Sequence, residues 1–380
     1  MNPTTSEAVE STRRRVLGRR RAFQPTVLLI GIALIVVAVI TAGGSSYSIY
    51  ILDTILLAAI GAMALDLLMG TGGQVSIGNA AFLAAGAFAT VWASRAGIAF
   101  PFDVIVGGVV CAAAGLVVGL PALRIRGMYL ALATLAAFYL AQFVGQKYQT
   151  DAVGAAGFLL KPVFSGTISQ QSARWAWLLV AVLAATLTLV SWLRAGRSGR
   201  AWRMIRDHEI AAALMGIPVA RYKLILFVVS SAIIGIQGGL TARFIQSVTY
   251  DGFTLALSIS VVAMILIGGL DSQAGPLIGA VVVTTLPIYV PDIVNAFVNS
   301  SNSSKNAGAY AQIVYGALIM VFIIAAPKGL NGFIHLTGRK AFAALSSRRG
   351  RPVAEQSATG NLHVHQPAAP SPSNHSVRHE

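Results

Sequence analysis

Three ionisable groups stand inside long apolar runs, where a charge is costly unless it meets a partner or water. Asp53 and Asp66 fall in the run 48–69, and Arg243 falls in the run 224–246. Each has the chemistry to relay a proton, pair with an ion or touch a polar solute. Asp66 sits near the end of its run on the face of Ala59 and Ala62. The simpler reading lets its carboxylate reach water, and Asp66 is kept among the candidate pathway groups. Arg243 follows Ser231, Gly235 and Gly239 at four-residue intervals, so it shares their small-residue face. It either lines a polar path or extends its stem to the nearby interface. For Asp53 the spacing favours neither a functional nor a solvated carboxylate. Just beyond Gly70, Gly72 and Gly73, the side chains of Gln74, Ser76 and Asn79 bring three hydrogen-bonding groups into an apolar context. They either line a pathway at a broken helix or decorate a tight turn.

Other chemistry is missing from the chain. No G-x-x-x-x-G-K-[ST] loop, H-E-x-x-H pair or Cys/His ligand spacing occurs, so neither an ATPase nor a metal or other cofactor site is expected. The single cysteine, Cys111, repeats with Gly107, Gly115 and Gly119 at four-residue steps and reads as part of a packing stripe. His363, His365, His375 and His379 belong to a polar Ser/Pro-rich tail, where disorder is the simpler expectation.

The elements that must hold these residues follow from composition. Of 380 residues, 56% are hydrophobic and 11% charged, with a mean hydropathy of +0.72. A soluble domain carries about 25% charged residues, so a soluble enzyme, a disulfide scaffold and a disordered protein are all excluded. An all-α polytopic membrane protein is expected. A bilayer core needs about 20 apolar residues of helix. Ten runs qualify: 26–42, 48–69, 75–94, 103–120, 128–144, 175–193, 224–246, 253–268, 277–290 and 310–326. The third, eighth and ninth are short or Gly-rich, giving about ten crossings with a range of 8–10. Residues 1–25 form a basic leader, too long to be the charged part of a signal peptide, so the first run is read as a retained span. Residues 26–333 make the membrane domain and 334–380 a tail.

The net charge of +15 comes from 28 Lys and Arg against 13 Asp and Glu. Its placement does not suggest nucleic acid. Arg13 to Arg21, the pair Arg124 and Arg126, the segment 194–223 and the tail hold most of it, all on one side of a ten-span arrangement. The positive-inside rule then puts both termini in the cytoplasm. Segment 194–223 is the most informative of these. Trp202 and Ile205 are three apart and Ile210 and Leu214 four apart, which suits two short amphipathic helices, with Asp207 as cap of the second and Gly216 before Pro218 as its stop. A helix lying on anionic lipid would present mostly basic residues. Here Asp207 and Glu209 interrupt the basic run and Ala211 to Ala213 are smooth, which favours docking of another protein.

This segment resembles the cytoplasmic coupling loop of ABC importer permeases, with Glu209, Ala212 and Gly216 on the Glu-Ala-Ala…Gly pattern and Arg206 and Asp207 beside it. Gly70 to Phe82 is similar to the G-x-x-G-Q-x-S-x-G-x-A-A-F stretch of the branched-chain amino-acid permeases. Arg126 to Leu135 looks like their R-G-x-Y-L-A-x-x-T-L stretch. Gly268 to Ala280 resembles G-G-x-G-T-x-x-G-P-x-x-G-A, and Pro327 to Leu330 resembles the element closing the last span. The matches run in order from about residue 55 to 333. Asn79 replaces a frequent His, Asp271 and Ser272 replace Gly-Thr, and Met128 stands where small or acidic residues are common.

The resemblance implies a permease subunit of an ATP-driven importer in the bacterial inner membrane, without an ATPase site of its own. Its implied partners are a second permease, two ABC ATPase subunits, a solute-binding protein and the lipid bilayer, with no nucleic acid. Branched-chain amino acids are the implied cargo, although relatives on this scaffold carry urea, amides or aromatic acids. Arg206, Asp207, Glu209, Ala212 and Gly216 become the expected coupling residues. Gln74, Ser76, Asn79, Asp66 and Arg243 become pathway candidates. Gly72, Gly73, Gly268, Gly269, Gly275 and Pro276 are expected to shape turns. A different class also fits the intramembrane charges: an ion-coupled secondary transporter working alone through Asp53, Asp66 or Arg243.

Overall fold

The computed structural model describes residues 25–122, 128–165, 167–297, 316, 317, 320 and 321. The basic leader, Arg124 and Arg126, most of the run 310–326, Pro327 to Leu330 and the tail lie outside the described residues. Helices follow the apolar runs: α1 (Pro25–Gly43), α2 (Ser46–Asp66), α3 (Asn79–Arg95), α4 (Phe102–Ala122), α5 (Met128–Val153) and α6 (Ile168–Ala195). Two short helices come next, α7 (Arg197–Asp207) and α8 (Glu209–Leu214). The order closes with α9 (Val219–Ile245), α10 (Leu255–Gly268) and α11 (Gly275–Phe297).

Seven of the described helices are long and apolar enough to cross a membrane: α1, α2, α4, α5, α6, α9 and α10 with the turn before it. The expected third span is reduced to the 17 residues of α3, because residues 72–78 are not helical. The apolar part of α11 is also short. About ten crossings are therefore not reached among the described residues. Val109, Val117, Leu140 and Phe143 on α4 and α5 face outward and exposed, as a surface solvated by lipid tails requires.

Helix α2 is central. It packs against α6, α9, α10 and α11 and is buried almost continuously from Leu56 to Leu68. Ser45 starts it, its Oγ accepting the Ser48 N–H at 3.2 Å. Beyond Asp66 the helix widens into a π turn, Leu67–Thr71. Gly73, at φ +67°, then closes it: the Gly73 N–H donates to Met69 O and the Gln74 N–H to Leu68 O. Such a stop needs a residue that tolerates the left-handed region.

A second unit is built from α3, α4 and α9, which pack mutually. The stripe Gly107, Cys111, Gly115 and Gly119 of α4 lies on α9. A methyl on Gly235 would come 2.7 Å from the Cys111 sulfur, and one on Gly115 would come 2.7 Å from the Ser231 hydroxyl. With no side chains between them, the backbones approach closely, which is how helices gain contact in lipid.

At the end opposite the Arg-rich segment, the stretch 145–174 between the fifth and sixth apolar runs is mostly helical, since α5 continues to Val153 and α6 begins at Ile168. The added turns of α5 are polar, yet they find partners. Gln149 Oε1 accepts the Tyr250 N–H at 2.8 Å, next to the bond that Gln142 Nε2, still within the apolar run, donates to Tyr250 O at 3.1 Å. Two short strands, β1 (Phe158–Leu159) and β2 (Ser247–Val248), pair antiparallel there, Phe158 opposite Val248.

Candidate functional site

Polar chemistry concentrates at the end of the bundle that carries α7 and α8. Four chain segments meet there: the end of α2, the end of α6, the face of α7, and the turn joining α10 to α11. Asp66, fully buried, accepts from Arg194 Nη2 at 2.6 Å, and the Arg194 side chain is only 6% exposed. The expectation that the Asp66 carboxylate reaches water is therefore corrected. It is sealed by protein because an arginine 128 residues later ends α6 directly against it. The other oxygen of Asp66 accepts the Asp271 N–H at 2.9 Å, and Arg194 Nη1 donates to Ser272 O at 3.0 Å.

Asp271 extends this network to α7. Thr71 Oγ1 donates to Asp271 Oδ1 at 3.0 Å, while Oδ2 lies 3.1 Å from Arg206 Nη1 and 3.6 Å from Arg203 Nε. Arg206 also donates to Gly70 O at 2.5 Å and to Asp207 at 3.0 Å. Partial burial pulls its pKa down, but the neighbouring Asp207 and Asp271 carboxylates more than offset this and raise it above the usual arginine value. The arginine stays charged. Its stem crosses Gly73 so closely that a methyl there would come 2.6 Å from Arg206 Cγ.

The arm formed by α7 and α8 has an inner and an outer side. Trp202 and Ile205 are buried, and Trp202 Nε1 donates to Tyr222 O at 2.9 Å. Ala212 is fully buried, whereas Ile210, Leu214 and Met215 are 71%, 84% and 75% exposed. Of the residues expected on this arm, Arg206 turns inward, Asp207 is exposed, and Glu209 accepts from Lys223 Nζ at 2.8 Å. Asp207 does not cap α8. It ends α7, and His208 takes the cap position without a side-chain bond. Gly216 turns the chain toward α9 at φ +78°.

Gln74 joins this region by donating to Lys223 O at 3.2 Å, so it and Glu209 share one partner residue. Ser76 is buried within the non-helical segment 72–78. Asn79, at the first turn of α3, is 1% exposed, with neither side-chain atom hydrogen-bonded. Gly72 packs under Leu226. In the α10–α11 turn, a methyl on Gly268 would collide with the backbone of Gly275, Gly269 sits at φ +108°, and Pro276 follows in the first turn of α11.

Arg243 lies apart, at the opposite end, where it neither faces an open path nor reaches the interface. Asp103, at the start of α4, pairs with it, and Arg243 Nη2 donates to Ser94 Oγ at 2.9 Å. Asp53 is also fully buried, and neither of its oxygens has a hydrogen-bond partner. Sequence reasoning missed Arg194 and Asp103 as partners. Both sit at helix ends, where a charge reads as ordinary, and their mates are far along the chain. Only the unexplained opposite charges within the spans pointed to them.

The model of the family described as branched-chain amino acid transport system permease component matches residues 47–323. The chain is 28% identical over 294 residues to the high-affinity branched-chain amino acid transport system permease protein LivM of Salmonella typhimurium, covering 70% of this chain and 66% of that protein. It thus spans just under two thirds of that relative's length. LivH of Escherichia coli, a permease protein of the same kind of system, is 26% identical over 44% of this chain and 50% of its own. PsaBC from Streptococcus pneumoniae in complex with Fab aligns with 76% of this chain and 94% of that one, at 16% identity and a TM-score of 0.40.

Proposed function

This chain belongs to the family of branched-chain amino acid transport system permease components, and from that premise we propose that it forms half of the translocation pathway of an ATP-driven importer for branched-chain amino acids. Its partners in this reading are a second permease of the same kind, two ATPase subunits and a solute-binding protein. The membrane is the bacterial inner membrane, with the α7–α8 arm and both termini in the cytoplasm, as the Lys and Arg distribution indicates.

One observation carries the reading: α7 is fastened to the bundle through Arg203 and Arg206, while α8 and the turn after it leave an apolar patch uncovered. Arg203 and Arg206 face Asp271 and Gly70 O, while Ile210, Leu214 and Met215 stand exposed. A helix that rests on anionic headgroups carries a polar face rich in Lys and Arg beside its apolar one, and α8, Glu209–Leu214, holds no basic residue. An apolar face next to a charged rim is instead the composition of a protein interface. In the proposed cycle, ATP binding moves the ATPase pair, the arm follows, and the bundle exchanges inward-open for outward-open packing. The solute shifts that equilibrium only through its different affinity for the two states.

The test is uptake by the assembled complex in vesicles. Gly216→Pro forbids the φ of +78° that the turn requires. Glu209→Arg sets a cation against Lys223. Uptake should fall at least about tenfold in each while membrane insertion persists, a loss equivalent to about 1.4 kcal/mol of coupling. Normal uptake in both variants, or solute accumulation by the isolated chain driven by an ion gradient, would overturn the reading.

A further inference from the structure

We propose that Asp271 is a positioning residue that ties the α7–α8 arm to the membrane bundle, so that displacement of the arm is passed to α2, α6 and the α10–α11 turn as one movement. The inference deepens the importer reading and rests on it for its functional part.

The network at Asp271 has two tiers. The lower tier uses its main chain: the Asp271 N–H binds Asp66, which holds Arg194, which in turn binds Ser272 O. Any residue but proline at position 271 could supply that. The upper tier needs the carboxylate. Oδ1 receives Thr71 from the π turn of α2, and Oδ2 meets Arg206 and Arg203 from α7. Arg206 then reaches Gly70 O in the same π turn. The carboxylate is the group that binds α7 to both membrane turns at once.

Position 271 is an unfavourable place for a side chain. Asp271 sits at φ +54°, in the left-handed region that favours glycine. Asp tolerates this region better than most residues but at a cost that glycine would avoid, and here its side chain supplies three contacts to two other elements. Its role is separable from folding of the arm, because Trp202 and Ile205 already bury the inner face of α7 without it.

Two variants divide the tiers. Asp271→Asn tolerates the same φ, keeps the main-chain bond to Asp66 and can still accept from Thr71, but loses the charge that holds Arg203 and Arg206. Asp271→Gly removes the side chain and relaxes the backbone. The first readout uses the purified chain alone, with Cys111 replaced by Ser and a spin label at Arg200→Cys on the exposed side of α7. Label mobility should rise in both variants, more in Asp271→Gly. The second readout is solute moved per ATP hydrolysed by the assembled complex in vesicles. That ratio should fall about tenfold while ATP turnover stays within about twofold, and Asp271→Glu should recover part of it. Unchanged label mobility in both variants overturns the tie itself. Raised mobility with an unchanged ratio overturns its part in transmission. A wild-type complex that moves no solute with ATP overturns the importer reading instead, and the mobility result still decides the tie.

Discussion

Asp66 and Arg194 show how an intramembrane charge can be stabilised without facing a pathway. The pair is almost fully removed from solvent, and the carboxylate has one further bond, from the Asp271 N–H. Removing one partner leaves the other uncompensated, which typically costs about 3–5 kcal/mol, whereas replacing both by apolar groups of similar volume is often neutral or stabilising. Arg194→Ala and Asp66→Leu should therefore each lower the thermal midpoint of the purified protein markedly. The double variant Asp66→Leu with Arg194→Met should recover most of that loss. Scanning calorimetry in detergent or nanodiscs checks it, and additive losses in the double variant would show that the two side chains do not act as a pair. The same reasoning applies to Asp103 and Arg243 at the opposite end.

Helix termini decide more here than helix interiors. Apolar runs revealed where α2, α4, α6 and α9 lie, because period and length depend only on local residue type. They did not reveal the polar extension of α5 beyond residue 144, since Gln149 there is satisfied by Tyr250, 101 residues later. The stripe Gly107, Cys111, Gly115 and Gly119 was legible because four-residue spacing is itself a face. Its partner on α9, Ser231, Gly235 and Gly239, was legible for the same reason. The inward turn of Arg206 and the joining of Asp66 to Arg194 were not, as both depend on which helix ends meet in space. Gly235→Leu should force α4 and α9 apart at Cys111 and the Gly107 backbone, and overpacking of this kind typically costs about 1–3 kcal/mol or more. A lower thermal midpoint and poorer membrane yield are expected. An unchanged midpoint would mean that the seam adapts.

At the scale of the whole molecule, reactivity should sort by burial. Cys111 is fully buried, and its sulfur points at Phe82 O, so the folded wild-type protein should resist maleimides until denatured. Leu214→Cys, at a position 84% exposed, should label rapidly. A membrane-impermeant maleimide should reach it in inside-out vesicles and not in intact cells, which tests the proposed sidedness of the arm. Bound ATPase subunits should then slow the labelling. Equal labelling from both sides, or no protection by the partners, would contradict the docking of those subunits on α8.

The glycine seam of α3, α4 and α9 has one more implication. Where main chains touch directly, no layer of pliable side chains exists to absorb sliding or tilting, so these three helices should travel as a single stiff wedge throughout a working cycle. Whatever gap alternately admits and releases cargo must then open along the boundaries of that wedge, where bulky residues such as Leu226, which packs over Gly72, can re-seat themselves.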